Sequence, residues 1–255
     1  MTAPLFHLSP GRLDGLTPGS QITVDGTEGH HAATVMRLGA GEQVLLSDTH
    51  RLKVSGVILD AGAGEMVVEV QEVSEEPQDH PALVLVQGLA KDKRDLQAVE
   101  SATELGVDAV IPWQAERSVA RWKAGREAKK HAEWVSTVTT AAKQTRRTSV
   151  PQVRELHTTA QYLRSLAEQQ GVGVVVLHEA EEISLASVLD QLQAPELREL
   201  HLVVGPEGGI SEAEIAQLTQ AGARTARLGR SVLRSSTAGP AGIAGAQILL
   251  GRWDW

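Results

Sequence analysis

The chain has 255 residues, 42% of them hydrophobic, and a formal net charge of -8 at pH 7. This length suffices for one large α/β domain or two smaller ones. The chain contains no cysteine, which excludes disulfides, thiolate catalysis and cysteine-ligated zinc or iron–sulfur sites.

The charge is unevenly distributed along the chain. Residues 1–76 hold 4 basic and 11 acidic side chains, whereas residues 91–147 hold 12 basic and 8 acidic. Nucleic acid responds to local patches, so a net acidic chain with a basic middle segment can still bind RNA. The N-terminal residues lack the pattern of a signal peptide, and no apolar stretch approaches the roughly 20 residues that span a bilayer. We therefore expect a cytoplasmic protein that does not engage a membrane.

The pattern from Leu5 to Val73 is short and strand-like. Segments rich in β-forming residues are separated by turn pairs such as Asp25-Gly26; they are QITVDG, EQVLLSD, RLKVSGVIL and MVVEVQEV. This pattern predicts a small β-barrel over residues 1–74. The polar residues 75–81, interrupted by two prolines, have the composition of a linker.

From residue 82 onward, apolar runs alternate with helical patterns. The runs lie at 83–86, 107–111, 172–177, 200–204 and 225–228, with a strand expected to end at Leu228-Gly229. This alternation predicts an α/β domain with a parallel sheet over residues 82–255. The closing segment TAGPAGIAGAQILLG consists mostly of small residues, and we expect it to pack closely, within the chain or against a second copy.

The segment LHLVVGPEGGISEAEI, residues 200–215, is the most informative one. An apolar strand leads into a glycine-rich turn and then into a helix, where Ser211 and Glu214 have the spacing of a capping box. A ligand can approach bare backbone amides at such a turn. Glu207 disfavours a phosphate there and favours a ligand with positive charge, such as a sulfonium.

The known nucleotide loops are absent. The sequence has no GxxxxGK[ST] and no GxGxxG after a strand, which disfavours phosphoryl and hydride transfer. Taken alone, GPEGG also fits an ordinary strand-to-helix turn.

Further motifs accompany GPEGG. Downstream lies LGRSVLRSSTAGPAG at residues 228–242, and upstream lie His31 with MRLGAGE around Arg37, the segment 91–107, IPWQAERS, and residues 144–151. Together these motifs resemble the RsmE family of SPOUT methyltransferases, and they cover both predicted domains in order.

The resemblance implies a fold, a cofactor and a substrate. The fold is a small PUA-like β-barrel, which recognises RNA, followed by an α/β SPOUT methyltransferase domain with a parallel sheet and a trefoil knot at roughly 200–245. The cofactor is S-adenosyl-L-methionine, and the protein is a homodimer. The substrate is the N(3) imino nitrogen of a specific uridine in 16S rRNA of the small ribosomal subunit.

The resemblance also implies the site residues. Three loops would bind the cofactor, through Leu177, His178, Gly205, Pro206, Glu207, Gly208, Gly209, Leu228, Gly229, Val232 and Leu233. Arg234 is the catalytic candidate, because a fixed guanidinium stabilises the deprotonated uracil. RNA contacts are expected from His31, Arg37, Lys91, Arg117, Gln144, Arg146 and Arg147, and no metal site is expected. Trp113, Trp122 and Trp134 lie among the basic residues, and each fits the core better than a stacking platform.

Three positions depart from the family pattern. Ser236 and Lys143 stand where many members have glutamate, so no carboxylate can act at either place, and Thr34 replaces an arginine. Two other functions stay open at this point. One is a SPOUT methyltransferase acting on a transfer RNA ribose 2'-hydroxyl, and the other is a catalytically silent RNA-binding protein of ribosome assembly.

Overall fold

The computed structural model describes residues 3–192 and 196–253. The chain forms two compact units. Unit 1 consists of Met1–Gln78 and Ala142–Val150, and unit 2 consists of Asp79–Ala141 and Pro151–Trp255.

Unit 1 contains a five-stranded sheet with the strand order β1-β3-β4-β5-β2. The strands are β1 (Leu5–His7), β2 (Gln21–Val24), β3 (Gln43–Ser47), β4 (Leu52–Gly62) and β5 (Glu65–Glu75). Alternate side chains of these strands enter one core that includes Phe6, Leu46 and Met66. The four strands predicted between Leu5 and Val73 are confirmed. Strand β1 was not predicted as a separate element, because three residues are too few to show a period.

Helix α1 (Gly26–His30) of unit 1 continues into one turn of π-helix (His31–Val35). Residues 142–150 complete the unit. Lys143 Nζ lies 2.7 Å from Glu28 Oε2, and Ser47 Oγ donates to the Thr148 carbonyl at 2.5 Å. The His7 ring donates to the Arg147 carbonyl at 3.0 Å, and burial lowers the pKa of His7. Lys143 therefore has a structural partner.

Unit 2 is built on a seven-stranded parallel sheet with the order β12-β10-β11-β6-β7-β8, and β9 also pairs with β7. The strands are β6 (Ala82–Gly88), β7 (Ala109–Gln114), β8 (Gln152–Val153), β9 (His157–Thr158), β10 (Val172–Leu177), β11 (Glu199–Val204) and β12 (Arg224–Ala226). The helices are α2 (Arg94–Glu104), α3 (Glu127–Gln144), α4 (Thr159–Ala167), α5 (Leu185–Leu192), α6 (Glu212–Gln220) and α7 (Ser235–Leu249). The last residues of α3, from 142 onward, are assigned to unit 1.

The predicted α/β class with a parallel sheet is confirmed, and the knot at roughly 200–245 stays a prediction. The expected strand end at Leu228-Gly229 is wrong by two residues. Strand β12 ends at Ala226, since Arg227 already forms an isolated bridge with Ser184. Among the described residues, no helix is long and apolar enough to cross a bilayer.

The small residues of α7 pack closely inside unit 2. A Cβ on Gly239 would lie 3.0 Å from the Leu85 side chain, and one on Gly242 would lie 2.8 Å from that of Leu177. Contact at this distance leaves no room for a larger side chain. The close packing expected of this segment is therefore present within the chain.

Candidate active site

Three loops of unit 2 meet at the carboxyl ends of the neighbouring strands β10, β11 and β12. They surround a cavity of about 450 Å³, which we call the cofactor cleft, and a smaller one of about 60 Å³. Leu177, His178, Val232 and Leu233 line both cavities. The cleft adds Gly205 to Gly209, and the smaller cavity adds Leu228 and Gly229. All residues that the sequence assigned to the cofactor thus lie together.

The glycines of the turn after β11 are required by the chain's own packing. A Cβ on Gly205 would lie 2.7 Å from the Ile210 side chain, and one on Gly208 would lie 3.0 Å from the Arg117 carbonyl oxygen. Gly209 has a φ of +72°, which favours glycine. From the sequence, these glycines were expected to give a ligand access to the backbone and to adopt backbone angles that other residues cannot. The structure adds that the turn closes tightly on itself.

The predicted capping box of α6 is confirmed. Ser211 Oγ accepts from the Glu214 N–H at 3.2 Å, and Glu214 Oε2 accepts from the Ser211 N–H at 3.2 Å. Glu214 Oε1 also accepts from the Glu116 N–H at 2.9 Å and from Thr159 Oγ1 at 2.6 Å. This buried carboxylate therefore fixes both the start of α6 and the loop after β7.

Glu207 connects the turn after β11 to the loop after β6. Its Oε1 accepts from the Lys91 N–H at 3.1 Å and lies 4.0 Å from Arg94 Nη1. Two roles are open to Glu207: it can orient the backbone of the turn, or it can lie near a sulfonium, as expected from the sequence. These contacts support the first. Glu207 also lines the cleft, so the second remains compatible with its position.

Sequence reasoning missed the polar pair Ser235 and Gln87. Ser235 Oγ donates to the Gly205 carbonyl at 2.7 Å and accepts from Gln87 Nε2 at 2.8 Å. Both residues are buried, and they fix the start of α7 against the glycine turn. A polar residue directly after the apolar run 83–86, followed by Gly88, was the available signal.

Three arginines line the cofactor cleft. Arg234 precedes α7 directly, is exposed, and lies next to Ser235. Arg117, which the sequence assigned to RNA, donates from Nη1 to the Gly208 carbonyl at 3.5 Å. Arg94 lies in the basic stretch 91–147, which was expected to bind RNA. Together they place positive charge around a cavity that also contains the carboxylates of Glu179 and Glu207.

The other residues predicted to bind RNA are distributed over both units. Lys91 is exposed in unit 2, close to the cleft through its bond to Glu207. In unit 1, His31 lies in the π-helical turn, and Arg37 and Arg146 are exposed with positive φ values of 56° and 57°. Gln144 is exposed at the end of α3, and Arg147 is half-buried. Within the described part of the chain, no group of three or more His, Asp or Glu side chains could hold a metal ion.

The chain is similar to known RNA methyltransferases. Residues 77–247 match the model of an RNA methyltransferase domain, and residues 24–71 match that of an RNA methyltransferase PUA domain. The chain belongs to the ribosomal RNA small subunit methyltransferase E family. The chain is 40% identical, over all of its length and 95% of the relative, to the Ribosomal RNA small subunit methyltransferase E of Mycobacterium bovis. It is 31% identical to the Bacillus subtilis protein of the same name, with 85% of this chain and 86% of that protein covered.

A solved structure extends the similarity to the fold. A putative methyltransferase from Legionella pneumophila, in complex with bound SAM, superposes with a TM-score of 0.79 at 25% identity. The match covers 97% of this chain and 98% of that chain. The predicted family and the PUA-like domain before a methyltransferase domain are thereby confirmed.

Proposed function

We propose that this protein methylates the N(3) imino nitrogen of a uridine in 16S rRNA of the small ribosomal subunit, with S-adenosyl-L-methionine as donor. The observation that carries the proposal is the convergence of the three predicted cofactor loops on one cleft, beside Arg234. The relatives named above support the substrate, because their names specify small-subunit ribosomal RNA.

The residues of the cleft fit S-adenosylmethionine. The volume of the cleft, about 450 Å³, lies in the range of roughly 300–1,000 Å³ that is typical of small-molecule sites. Leu177, Val232 and Leu233 offer apolar walls, while the turn from Gly205 to Gly209 offers main-chain polar groups. When bound, the cofactor supplies an electrophilic methyl group. The residues of the chain must align the uracil with it and favour the uracil anion.

Arg234 is the residue that we assign to the anion. The neutral imide is a poor nucleophile, and deprotonation places negative charge on the uracil oxygens. A guanidinium at the edge of the cleft lowers the free energy of that charge. Alignment of the reacting atoms can contribute roughly 7 to 11 kcal/mol in well-oriented systems, so a strong base is not required. The structure supports this assignment by the position of Arg234 beside Val232 and Leu233.

We further propose that both units contact the RNA. Unit 1 offers the exposed Arg37, Gln144 and Arg146, and unit 2 offers Lys91 and Arg117 next to the cleft. Such residues bind phosphates without reading sequence, while the shape of the RNA and the pocket supply specificity. Since the substrate is ribosomal RNA, we expect the protein in the cytoplasm.

A homodimer is the assembly that the surface of unit 2 supports. Ile183, Val232, Ile248 and Leu249 are large apolar residues with between 41% and 75% of their surface exposed. Ile248 and Leu249 belong to α7, and Leu249 lines a cavity of about 450 Å³ with Ala241 and Gly245. A second copy of this chain would cover such a face.

The proposed function is tested by methyl transfer. Small ribosomal subunits from a strain without the enzyme are incubated with the protein and labelled S-adenosylmethionine, and the RNA is digested to nucleosides for mass analysis. We expect one 3-methyluridine per subunit. A 2'-O-methylated nucleoside, or label in transfer RNA incubated in a parallel reaction but not in the subunits, would favour a ribose methyltransferase. Cofactor binding by calorimetry without any transfer under single-turnover conditions would favour a silent assembly protein.

A further inference from the structure

A second polar cavity lies next to the cofactor cleft in unit 2. It has a volume of about 340 Å³, and we call it the Trp122 cavity. Its lining comes from the loop and helix start at residues 90–96, from residues 120–122, and from Lys130, Glu133 and Trp134 of α3.

The loop after β6 separates the two cavities. Lys91, Asp92, Lys93 and Asp95 line the Trp122 cavity, while Arg94 lines the cofactor cleft. Asp92 and Lys93 have φ values of 55° and 59°, a conformation that non-glycine residues seldom adopt. The Lys91 N–H bond to Glu207 holds the loop at its start. Backbone strain of this kind persists where the surroundings over-determine it, and it is concentrated at functional sites.

Two tryptophans form the aromatic wall of the cavity, and one of them is partly exposed. Trp134 is 1% exposed, and Trp122 packs on it edge to face, with ring centroids 6.1 Å apart at 75°. Trp122 itself is only half-buried and lines the cavity. The expectation that each tryptophan belongs in the core holds for Trp134 and for Trp113, which is fully buried, but not for Trp122.

Basic residues at the rim fit a phosphodiester. Lys91, Lys93 and Arg121 are exposed and line the cavity, whereas Lys130 pairs with Glu133 at 2.8 Å. Proteins that bind single-stranded RNA combine such basic groups with aromatic side chains on which bases stack.

Asp95 adds a buried acceptor to the same cavity. It is 8% exposed, and burial raises the pKa of its carboxyl group. Oδ1 accepts from the Leu96 N–H at 2.9 Å, and Oδ2 accepts from the Ala90 N–H at 3.4 Å. A carboxylate has about four acceptor positions, so Asp95 retains capacity for a donor in the cavity.

We propose that the Trp122 cavity binds the base of a nucleotide adjacent to the target uridine. Trp122 stacks on this base, Lys93 and Arg121 contact its phosphates, and Asp95 accepts from an exocyclic amino group. The cavity therefore prefers an amino-bearing base over uracil. This inference rests on the proposed function. An RNA strand that places its target uridine in the cofactor cleft must pass the loop 91–94, which lies between the cleft and the Trp122 cavity.

The test measures binding of labelled single-stranded RNA pentanucleotides with a central uridine, by fluorescence anisotropy with S-adenosylhomocysteine present. Trp122→Ala should weaken binding about ten-fold or more, and Trp122→Phe should stay within about three-fold, since stacking survives. Arg164→Gln, an exposed residue of α4 outside the cavity, is the matched control and should leave the affinity unchanged.

Base preference is the second readout. At one neighbour position, the wild-type protein should bind adenine, cytosine or guanine more tightly than uracil. Asp95→Asn should remove this preference, because it replaces one acceptor oxygen with an NH2 group that donates, while the Leu96 N–H already bonds to the other oxygen. If Trp122→Ala does not fold, the paired variant Lys93→Gln with Arg121→Gln replaces it and should weaken binding about five-fold or more.

Three results would overturn the proposal. They are equal affinity of the wild type and a folded Trp122→Ala variant, an equal loss for Trp122→Phe and Trp122→Ala, and no base preference at either neighbour position. Calorimetry with S-adenosylmethionine alone tests the proposed function separately. Failure of cofactor binding in the wild type would remove that function, whatever the pentanucleotides show.

Discussion

At the scale of single residues, Arg234 is the residue to which we assign stabilisation of the uracil anion. It stands at the entrance of α7, where Ser235 fixes the backbone through the Gly205 carbonyl at 2.7 Å. Arg234→Lys keeps the positive charge but loses the planar guanidinium, whose several N–H donors can bond to the delocalised uracil anion. We expect kcat to fall about 100-fold or more, as for loss of one oxyanion donor, with cofactor affinity nearly unchanged. Single-turnover transfer and calorimetry measure the two quantities, and a lysine variant with normal turnover would refute the assignment.

Glu207 permits a sharper choice between its two roles. If it orients the turn through the Lys91 N–H, Glu207→Gln retains an acceptor oxygen and cofactor affinity should change less than about three-fold. Glu207→Ala removes the acceptor and should weaken binding by about ten-fold, because hydrogen bonds to charged groups contribute roughly 1.5–3 kcal/mol. Calorimetric titration of both variants decides the matter. A large loss in Glu207→Gln would instead indicate direct attraction of the sulfonium.

Some site residues could be predicted from the sequence, and others could not. Glycine-rich turns and the capping box are local signals, which is why 205–214 could be read directly from the chain. Gln87 and Ser235 lie 148 positions apart and meet only because α7 packs against β6 and β11. Lys143 was recognised as a departure from the family, but its pairing with Glu28 across 115 positions could not be deduced. Long-range polar pairs leave no periodicity in a sequence.

At the scale of elements, β11 combines an apolar run with a buried polar network at its start. His201 is 1% exposed and bridges Tyr162 Oη and Glu199 Oε2, each at 2.8 Å. Glu199 also pairs with Arg154 at 2.6 Å. The carboxylate can only accept, so Nε2–H donates to Glu199 and Nδ1 accepts from the Tyr162 hydroxyl. The neutral ring satisfies both of its partners, and the segment is therefore not wholly apolar.

This network predicts a loss of stability on acidification. Burial lowers the pKa of His201 below 6.5, so the unfolded state binds its proton first and stability falls as the pH drops below 6.5. The hydrogen bond from His201 and the pair with Arg154 lower the pKa of Glu199 to about 2, so its contribution is lost as the pH falls from 4.5 towards 2. We expect Tm to decline from pH 6.5 downward, as followed by circular dichroism.

The control for this prediction is a side chain that does not titrate. His201→Gln should have a lower Tm at pH 7.5 and a shallower decline between pH 6.5 and 5. The decline should not vanish, because burial also lowers the pKa values of His7 and His157. An unchanged slope in His201→Gln would show that the network does not titrate in this range.

The elements themselves were predictable to the extent that they were long or regular. Strands β2 to β7, β10 and β11 follow from apolar runs, and so does β12, although its end was expected two residues later. Strands β8 and β9 were not predicted, because each has only two residues. Helix α4 begins with a capping box at Thr158 and Gln161, a signal that was present but not used. Helix α5 lies between polar segments and offers just eight residues, which is too short for a clear period.

At the scale of the whole molecule, the proposed dimer surface on α7 shares loop residues with the proposed cofactor site. The loop residues Leu228, Gly229 and Leu233 line both the small cavity near the cleft and the cavity along α7 that contains Leu249. A second copy packed on α7 would therefore restrict the same loop that forms one wall of the cofactor site. Dimer formation and cofactor affinity should be thermodynamically coupled, since each favours the ordered loop.

Ile248→Lys tests this coupling. Ile248 is 64% exposed on α7, so a lysine should fold normally in the monomer but place an unpaired charge in the proposed interface. Light scattering should show about twice the chain mass of 27.2 kDa for the wild type and a single chain mass for the variant at micromolar concentration. Cofactor affinity should fall about five-fold or more in the variant, in line with typical coupling energies. Leu59→Lys, at a 40% exposed position of β4 in unit 1, is the matched control and should change neither quantity. A wild-type protein that is monomeric and still binds the cofactor tightly would contradict this coupling. The loop containing Leu228, Gly229 and Leu233 would then be ordered without a second copy.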